Sequence, residues 1–499
     1  MEKWLILWRK RLSRQMVVNS INFWLFFAVF LIPFFVFLKN TWRGQNTWLL
    51  FSSYFFYGLA DWKMVLLLAI VTIVFYFLGL KIKEYNIKKP KLASNLTTCG
   101  VVLGVGLLVY FKYLGFLVQE FANLLESFGL KTNFDTFCIV MPIGISFFTF
   151  KLISYIVEVH RGNLEPTRDI VLFGTYISFF PTILSGPIDR PNVFIPQLKI
   201  CHTFHIGNIS EGLKRILWGL FTKCCIADTF SFYTNNVFDN IESHNTTTIL
   251  LAACLFTIQL YADFSGYSNM AIGVAQIMGY KVRENFNRPY FSKNMAEFWR
   301  RWHMSLTSWI TDYIFMPLNI AFRELGKWGL YLATIINLFV IGIWHGANWT
   351  FALFGIYNAL LLIICMEIEK PRKKFEKKHQ LKNNNVYQFS MIIVTFFAWI
   401  FACVIFRSNS IIDIVTFFSS FGDFGRPFQA REGSTVFLLF GLMSTVILFY
   451  KEYNDEHNKN IHFLHSSNTL KSTLTAIAIV TYIMLLGELE GGDFIYFKF

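Results

Sequence analysis

The sequence has 499 residues, 55% of them hydrophobic and only 15% charged, whereas a water-soluble protein needs roughly 25% charged residues to cover its surface; much of this chain's solvent is therefore lipid. An aromatic content of 19%, with 58 Phe, excludes disordered, collagen-like and coiled-coil chains. The net charge of +14 does not mark a nucleic-acid binder, because the basic residues bunch between apolar runs, the positive-inside pattern of a multi-pass membrane protein whose Lys and Arg loops lie against anionic lipid.

The first basic block is Lys3, Arg9, Lys10, Arg11 and Arg14. Residues 1–18 are expected to form a basic interfacial segment with Trp4, Trp8 and Leu12 on one face, or translation begins at Met16. The run 21–38 follows without a small-residue cleavage site, so it is read as a first span and not as a removed signal. A bilayer core of about 30 Å needs roughly 20 apolar residues in a helix. Further candidates are 64–80, 96–118, 137–157, 169–187, 212–232, 248–262, 329–343, 349–366, 387–406, 434–450 and 470–486. The basic blocks Lys81–Lys91 and Lys370–Lys382 interrupt them.

Between 264 and 328 the apolar pieces are divided by Arg283, Glu284, Arg288, Arg300 and Arg301. Backbone of that kind survives at membrane depth only where protein or a watery cavity covers it. The expectation is an all-α polytopic bundle of about eleven spans over 19–486, with re-entrant or half-membrane helices, and a C-terminal aromatic motif at 487–499. The eight cysteines show no CxxC spacing, and His457, His462 and His465 lie among Asn, Asp and Lys as a solvated loop would, so no metal site is expected.

Polar groups in apolar surroundings mark pathways and sites, because an ionisable group at membrane depth is costly. His345 stands in Trp344-His345-Gly346-Ala347-Asn348 between two spans, with Gly342 and Gly346 allowing close backbone approach. A buried imidazole stays neutral and can take a proton from a hydroxyl; the alternative is a packed histidine bonded to a carbonyl. His303 follows Trp299, Arg300, Arg301 and Trp302. On one continuous helix Trp299, His303 and Thr307 share a face. That helix end is either a snorkelling interfacial anchor or a lining whose arginines attract an anionic substrate. Asp263 must be paired or protonated, and an arginine of 283–301 is the expected partner. No HxxxxD, HExxH, GxSxG or P-loop pattern is present.

These segments resemble the membrane-bound O-acyltransferases, within them the bacterial alginate O-acetylation branch. The resemblance runs from about Met16 to Phe499. It is carried by Pro142-Ile143-Gly144-Ile145-Ser146-Phe147-Phe148-Thr149-Phe150, by Phe180-Pro181 through Gly186-Pro187-Ile188-Asp189-Arg190 to Pro196-Gln197, and by Asp263-Phe264-Ser265-Gly266-Tyr267-Ser268. Asn285-Phe286 to Pro289-Tyr290, Glu297 to His303, Trp344-His345-Gly346-Ala347 and Phe494 to Phe499 complete it. Lys151, the pair Glu158 and His160, and Asn269 depart from the family's usual residues.

The resemblance implies a helical bundle around a tunnel faced by two histidines, with His345 as the essential residue and His303 as its companion. Trp299, Arg300, Arg301, Asp263, Trp344 and Asn348 become tunnel or donor-binding candidates. The related D-alanylation system has a small protein ending in a similar tyrosine motif, which makes Tyr496 a candidate acyl carrier; the alternative is an aromatic plug that only docks. The implied activity is acetyl transfer from acetyl-CoA or an acyl carrier protein, used as substrate with no bound cofactor. The implied acceptor is an extracytoplasmic polysaccharide, the partner an SGNH-type, esterase-like acetyltransferase, and the place the bacterial inner membrane. The rivals are D-alanyl transfer to teichoic acid and a transporter of acylated glycan without its own chemistry.

Overall fold

The computed structural model describes residues 20–130, 141–422, 434–457, 469–488 and 494–495, together with Val18 and Leu464. The basic N-terminal segment, Tyr496, His462 and His465 lie outside the described residues. Every regular element among the described residues is helical. Among the described residues, eight helices are long and apolar enough to cross a membrane: Trp62–Lys88, Pro90–Ser127, Thr246–Ile277, Lys327–His345, Trp349–Lys378, Asn385–Arg407, Thr435–His457 and Thr469–Leu486. A shorter apolar helix covers Ile21–Phe37.

Against the expected eleven or so, the difference lies in three stretches with local causes. Ile145–His160 has only 16 residues and begins after Gly144, which holds a left-handed φ of 75°. A Cβ at Gly144 would meet the Ile183 carbonyl oxygen at 2.3 Å, so only glycine allows that approach. Ile170–Ser178 stops at Phe179, whose ψ of 104° turns the chain ahead of Pro181. The segment from Ile206 to Phe238 is continuous, but a π-turn at Lys223–Ala227 interrupts its register.

The chain divides into two compact units. The first comprises residues 1–216 and 268–283. There Trp42–Lys88 packs against Pro90–Leu108, Ile145–His160 and Ile170–Ser178. Small residues let the backbones close up, as interhelical contact in lipid requires: a Cβ at Gly79 would meet Tyr155 at 2.6 Å and one at Gly104 would meet Ile153 at 2.9 Å. Lys151 is buried in this unit, its Nζ donating to the Tyr176 carbonyl and the Thr182 hydroxyl, both at 3.2 Å.

The second unit comprises residues 217–267 and 284–499 and contains both histidines of interest. Its most extensive pairing is the antiparallel hairpin of Lys327–His345 and Trp349–Lys378. A Cβ at Gly342 would lie 2.2 Å from the Phe351 carbonyl oxygen, and one at Gly355 would lie 2.5 Å from that of Leu338. Between 284 and 326 the chain runs as short pieces, Met295–Arg301 and Met304–Ile310 among them, and not as a full span.

Candidate active site

His303 does not continue the helix that precedes it. Met295–Arg301 ends at Trp302, which is extended, and His303 takes a left-handed φ of 41° before Met304–Ile310 begins. Trp299, His303 and Thr307 therefore do not share a single helix face. Long-range pairing forces the break. The Met304 N–H donates to the Asn285 carbonyl at 2.8 Å, the Ser305 hydroxyl to Asn285 Oδ1 at 2.6 Å, and the Asn287 N–H to the Arg301 carbonyl at 2.9 Å. A non-glycine residue at positive φ costs free energy and persists only where its surroundings fix it, commonly at functional positions.

That turn delivers the His303 ring inward, where it is 1% exposed. Phe264 meets it edge-on at 4.6 Å and Trp344 at 5.8 Å. Burial pushes its pKa down from the ordinary 6.5 to about 3. The imidazole is thus neutral throughout the physiological range.

His345 is the last residue of Lys327–His345, where the chain becomes extended at Gly346. Its ring meets Phe406 edge-on at 5.0 Å and Phe354 at 5.9 Å. Gly346 leaves room for Phe351, which a Cβ would approach to 2.3 Å. Trp344 touches both histidines, its ring lying 5.0 Å from that of His345. One indole therefore meets two buried imidazoles that are 42 positions apart in the sequence. Trp399 closes the wall beside them, 4.2 Å from Phe298, 5.0 Å from Trp302 and 6.0 Å from Phe354.

Asp263 has a partner other than the one expected. Its carboxylate pairs with Lys223 at 2.7 Å, and Lys223 pairs equally closely with Asp228, all three side chains being no more than 5% exposed. The other Asp263 oxygen accepts the Ile495 N–H at 2.8 Å. Lys223 and Asp228 are residues that the sequence reading passed over. The available signal was an ammonium and a carboxylate five positions apart inside the apolar run 212–232, where neither is tolerated alone.

The remaining candidates separate by role. Arg301 is bound to Glu297 and Glu456 at 2.7 and 2.9 Å, and Glu456 also holds Arg288 at 2.6 Å, while Arg300 is exposed. Trp299 is buried against Trp399, the rings 6.0 Å apart. Asn348 caps Trp349–Lys378, accepting the Thr350 N–H at 3.0 Å, and donates to the Asn409 carbonyl at 2.7 Å. Another buried carboxylate, Glu452, accepts the Tyr261 hydroxyl on the helix that carries Asp263.

These features define a polytopic helical membrane protein with two buried imidazoles built into its apolar body. The model of the membrane-bound O-acyltransferase family matches residues 166–409, a stretch that includes both histidines. The chain is 36% identical over 351 residues to the probable alginate O-acetylase AlgI of Pseudomonas aeruginosa, covering 69% of this chain and 65% of that protein. It is 31% identical to the peptidoglycan O-acetyltransferase of Helicobacter pylori, covering 66% of each. With the teichoic acid D-alanyltransferase of Bacillus subtilis it shares 30% identity, covering 66% of this chain and 82% of that protein. The chain spans just under two thirds of the length of the Pseudomonas relative. The chain belongs to the membrane-bound O-acyltransferase family.

Proposed function

We propose that the protein is an O-acetyltransferase of the bacterial inner membrane, which passes an acetyl group from a cytoplasmic thioester, acetyl-CoA or an acyl carrier protein, towards an extracytoplasmic polysaccharide. The observation that carries this is the pair of buried imidazoles that both meet the Trp344 ring. Family membership and the acceptors named for the relatives support the class of reaction.

In this mechanism His345 takes the proton of the accepting hydroxyl as its oxygen bonds to the thioester carbonyl carbon. The tetrahedral intermediate collapses, the carbon–sulfur bond breaks, and the proton passes to the departing thiolate. His303, neutral because it is buried, orients the reacting groups by hydrogen bonding. The apolar wall excludes water and so limits wasteful hydrolysis of the thioester. The first accepting hydroxyl is the phenol of Tyr496, and an SGNH-type partner completes delivery to the polymer.

The 36% identity to the alginate O-acetylase of Pseudomonas aeruginosa, against 30% and 33% to two teichoic acid D-alanyltransferases, favours acetyl as the cargo. Radiolabelled acetyl-CoA is supplied to the protein in lipid nanodiscs, and polymer acetylation is measured in cells. His345→Ala is expected to lose at least a hundredfold in thiol release and polymer acetylation while keeping its thermal transition. Retained acetylation by that variant would overturn the acyl-transfer role and favour a transporter. Alanine on the polymer in place of acetate would identify the D-alanyl alternative.

A further inference from the structure

The Lys223–Asp228–Asp263 cluster has no assigned step in acyl transfer, yet its construction is unusual for a structural ion pair. One ammonium faces two carboxylates, each within 2.7 Å, in a place where no side chain is more than 5% exposed. Buried carboxylate oxygens need hydrogen-bond donors. For Asp263 a donor comes from 232 positions away in the sequence, the backbone N–H of Ile495 at 2.8 Å.

Two further contacts tie the same end of the chain to the same place. The Glu488 N–H donates to the Cys224 carbonyl at 3.0 Å, next to Lys223 within the π-turn Lys223–Ala227. Such turns widen a helix and release carbonyls for outside partners, and they recur at functional sites. Phe494 stacks on Tyr267 at 4.6 Å with an interplanar angle of 23°, and lies 5.9 Å from Phe264. Phe264 in turn meets His303 at 4.6 Å. Asp263, Phe264 and Tyr267 all belong to Thr246–Ile277, and Asp263 and Tyr267 are one turn apart on one face.

We infer that Asp263, held in place by Lys223, is the positioning residue that receives the C-terminal segment and sets its register against the His303 side of the site. The recognised group is a backbone N–H, so the contact specifies which residue sits at the pin and not what its side chain is. Phe494 on Tyr267 supplies the apolar part of the grip, and Asp263 supplies the register. This rests on Tyr496, the next residue in the sequence, being the acyl carrier.

The test uses the full chain in lipid nanodiscs, with two measurements. Brief digestion by a broad-specificity endoprotease, followed by mass spectrometry of the C-terminal peptides, reads docking without any acyl chemistry. Label from radioactive acetyl-CoA reads transfer. Asp263→Ala and Ile495→Pro remove the two sides of one bond, the first the accepting carboxylate and the second the donating backbone N–H. Each is expected to speed digestion and reduce labelling by about tenfold or more. The double variant is expected to do no worse than either single one, because both remove the same interaction. Unchanged digestion in Ile495→Pro, or multiplying effects in the double variant, would overturn the assignment. Tyr496→Phe, which keeps the backbone, is expected to digest at the wild-type rate; its labelling tests the acyl-carrier role separately.

Discussion

A histidine held by aromatic rings and a lysine held by two carboxylates meet the same cost, burial of an ionisable group, in opposite ways. Lys223 keeps its charge because Asp228 and Asp263 surround it. His303 gives its charge up: burial lowers its pKa from 6.5 to about 3. Between those two values the unfolded chain binds a proton that the folded imidazole refuses, so stability rises with pH across that window and is flat above it. The transition temperature of the wild type in nanodiscs should therefore fall relative to that of His303→Gln as the pH is lowered from 7 to 5, and the two should run parallel above pH 7. Parallel curves over the whole range would mean that the ring is solvated. The sequence made His303 and His345 legible as polar residues in apolar company. It did not make their company legible, since Trp344 links the two rings only once separate helices have packed.

The elements around the site depend on close approach more than on propensity. Glycines on either side of His345 pointed to tight backbone contact, and the hairpin bears this out. Gly342 lies where a Cβ would stand 2.2 Å from the Phe351 carbonyl oxygen, a backbone atom that cannot rotate away. Gly342→Ala is expected to push Trp349–Lys378 off Lys327–His345, costing about 1–3 kcal/mol and moving His345 relative to Phe354 and Phe406. The measurable outcome is a lowered transition temperature with an even larger loss of acetyl transfer; unchanged values for both would show that the hairpin opens freely. The turn at His303 was not legible. Residues 295–310 have an uninterrupted helical pattern, and the break comes from Asn285 and Asn287, whose hydrogen bonds to 301, 304 and 305 form only in the folded chain. A local pattern carries no information about pairing partners fourteen to twenty residues away.

On the scale of the whole chain, basic blocks and helix lengths together fix which way the second unit's hairpin runs through the bilayer. Lys327 Nζ pairs with Glu367 at 3.1 Å, so the start of the first hairpin helix is level with the part of its partner that leads into the block Lys370–Lys382. By the positive-inside rule that level is cytoplasmic. His345 closes a helix of 19 residues that starts at Lys327, and at 1.5 Å per residue it lies roughly 27 Å farther along, close to the full hydrocarbon thickness of about 30 Å. The turn at Trp349, which is 54% exposed, should then open towards the outer face. In a background without the native cysteines, a membrane-impermeant maleimide added to intact cells is expected to label Trp349→Cys and to label Lys377→Cys only after the membrane is opened. The reverse pattern would turn the hairpin over and place His345 near the cytoplasm. With the expected orientation, the proposed cytoplasmic thioester would have to be offered through most of the bilayer's depth. That demands a donor whose acyl group hangs on a long flexible arm, as both coenzyme A and an acyl carrier protein provide.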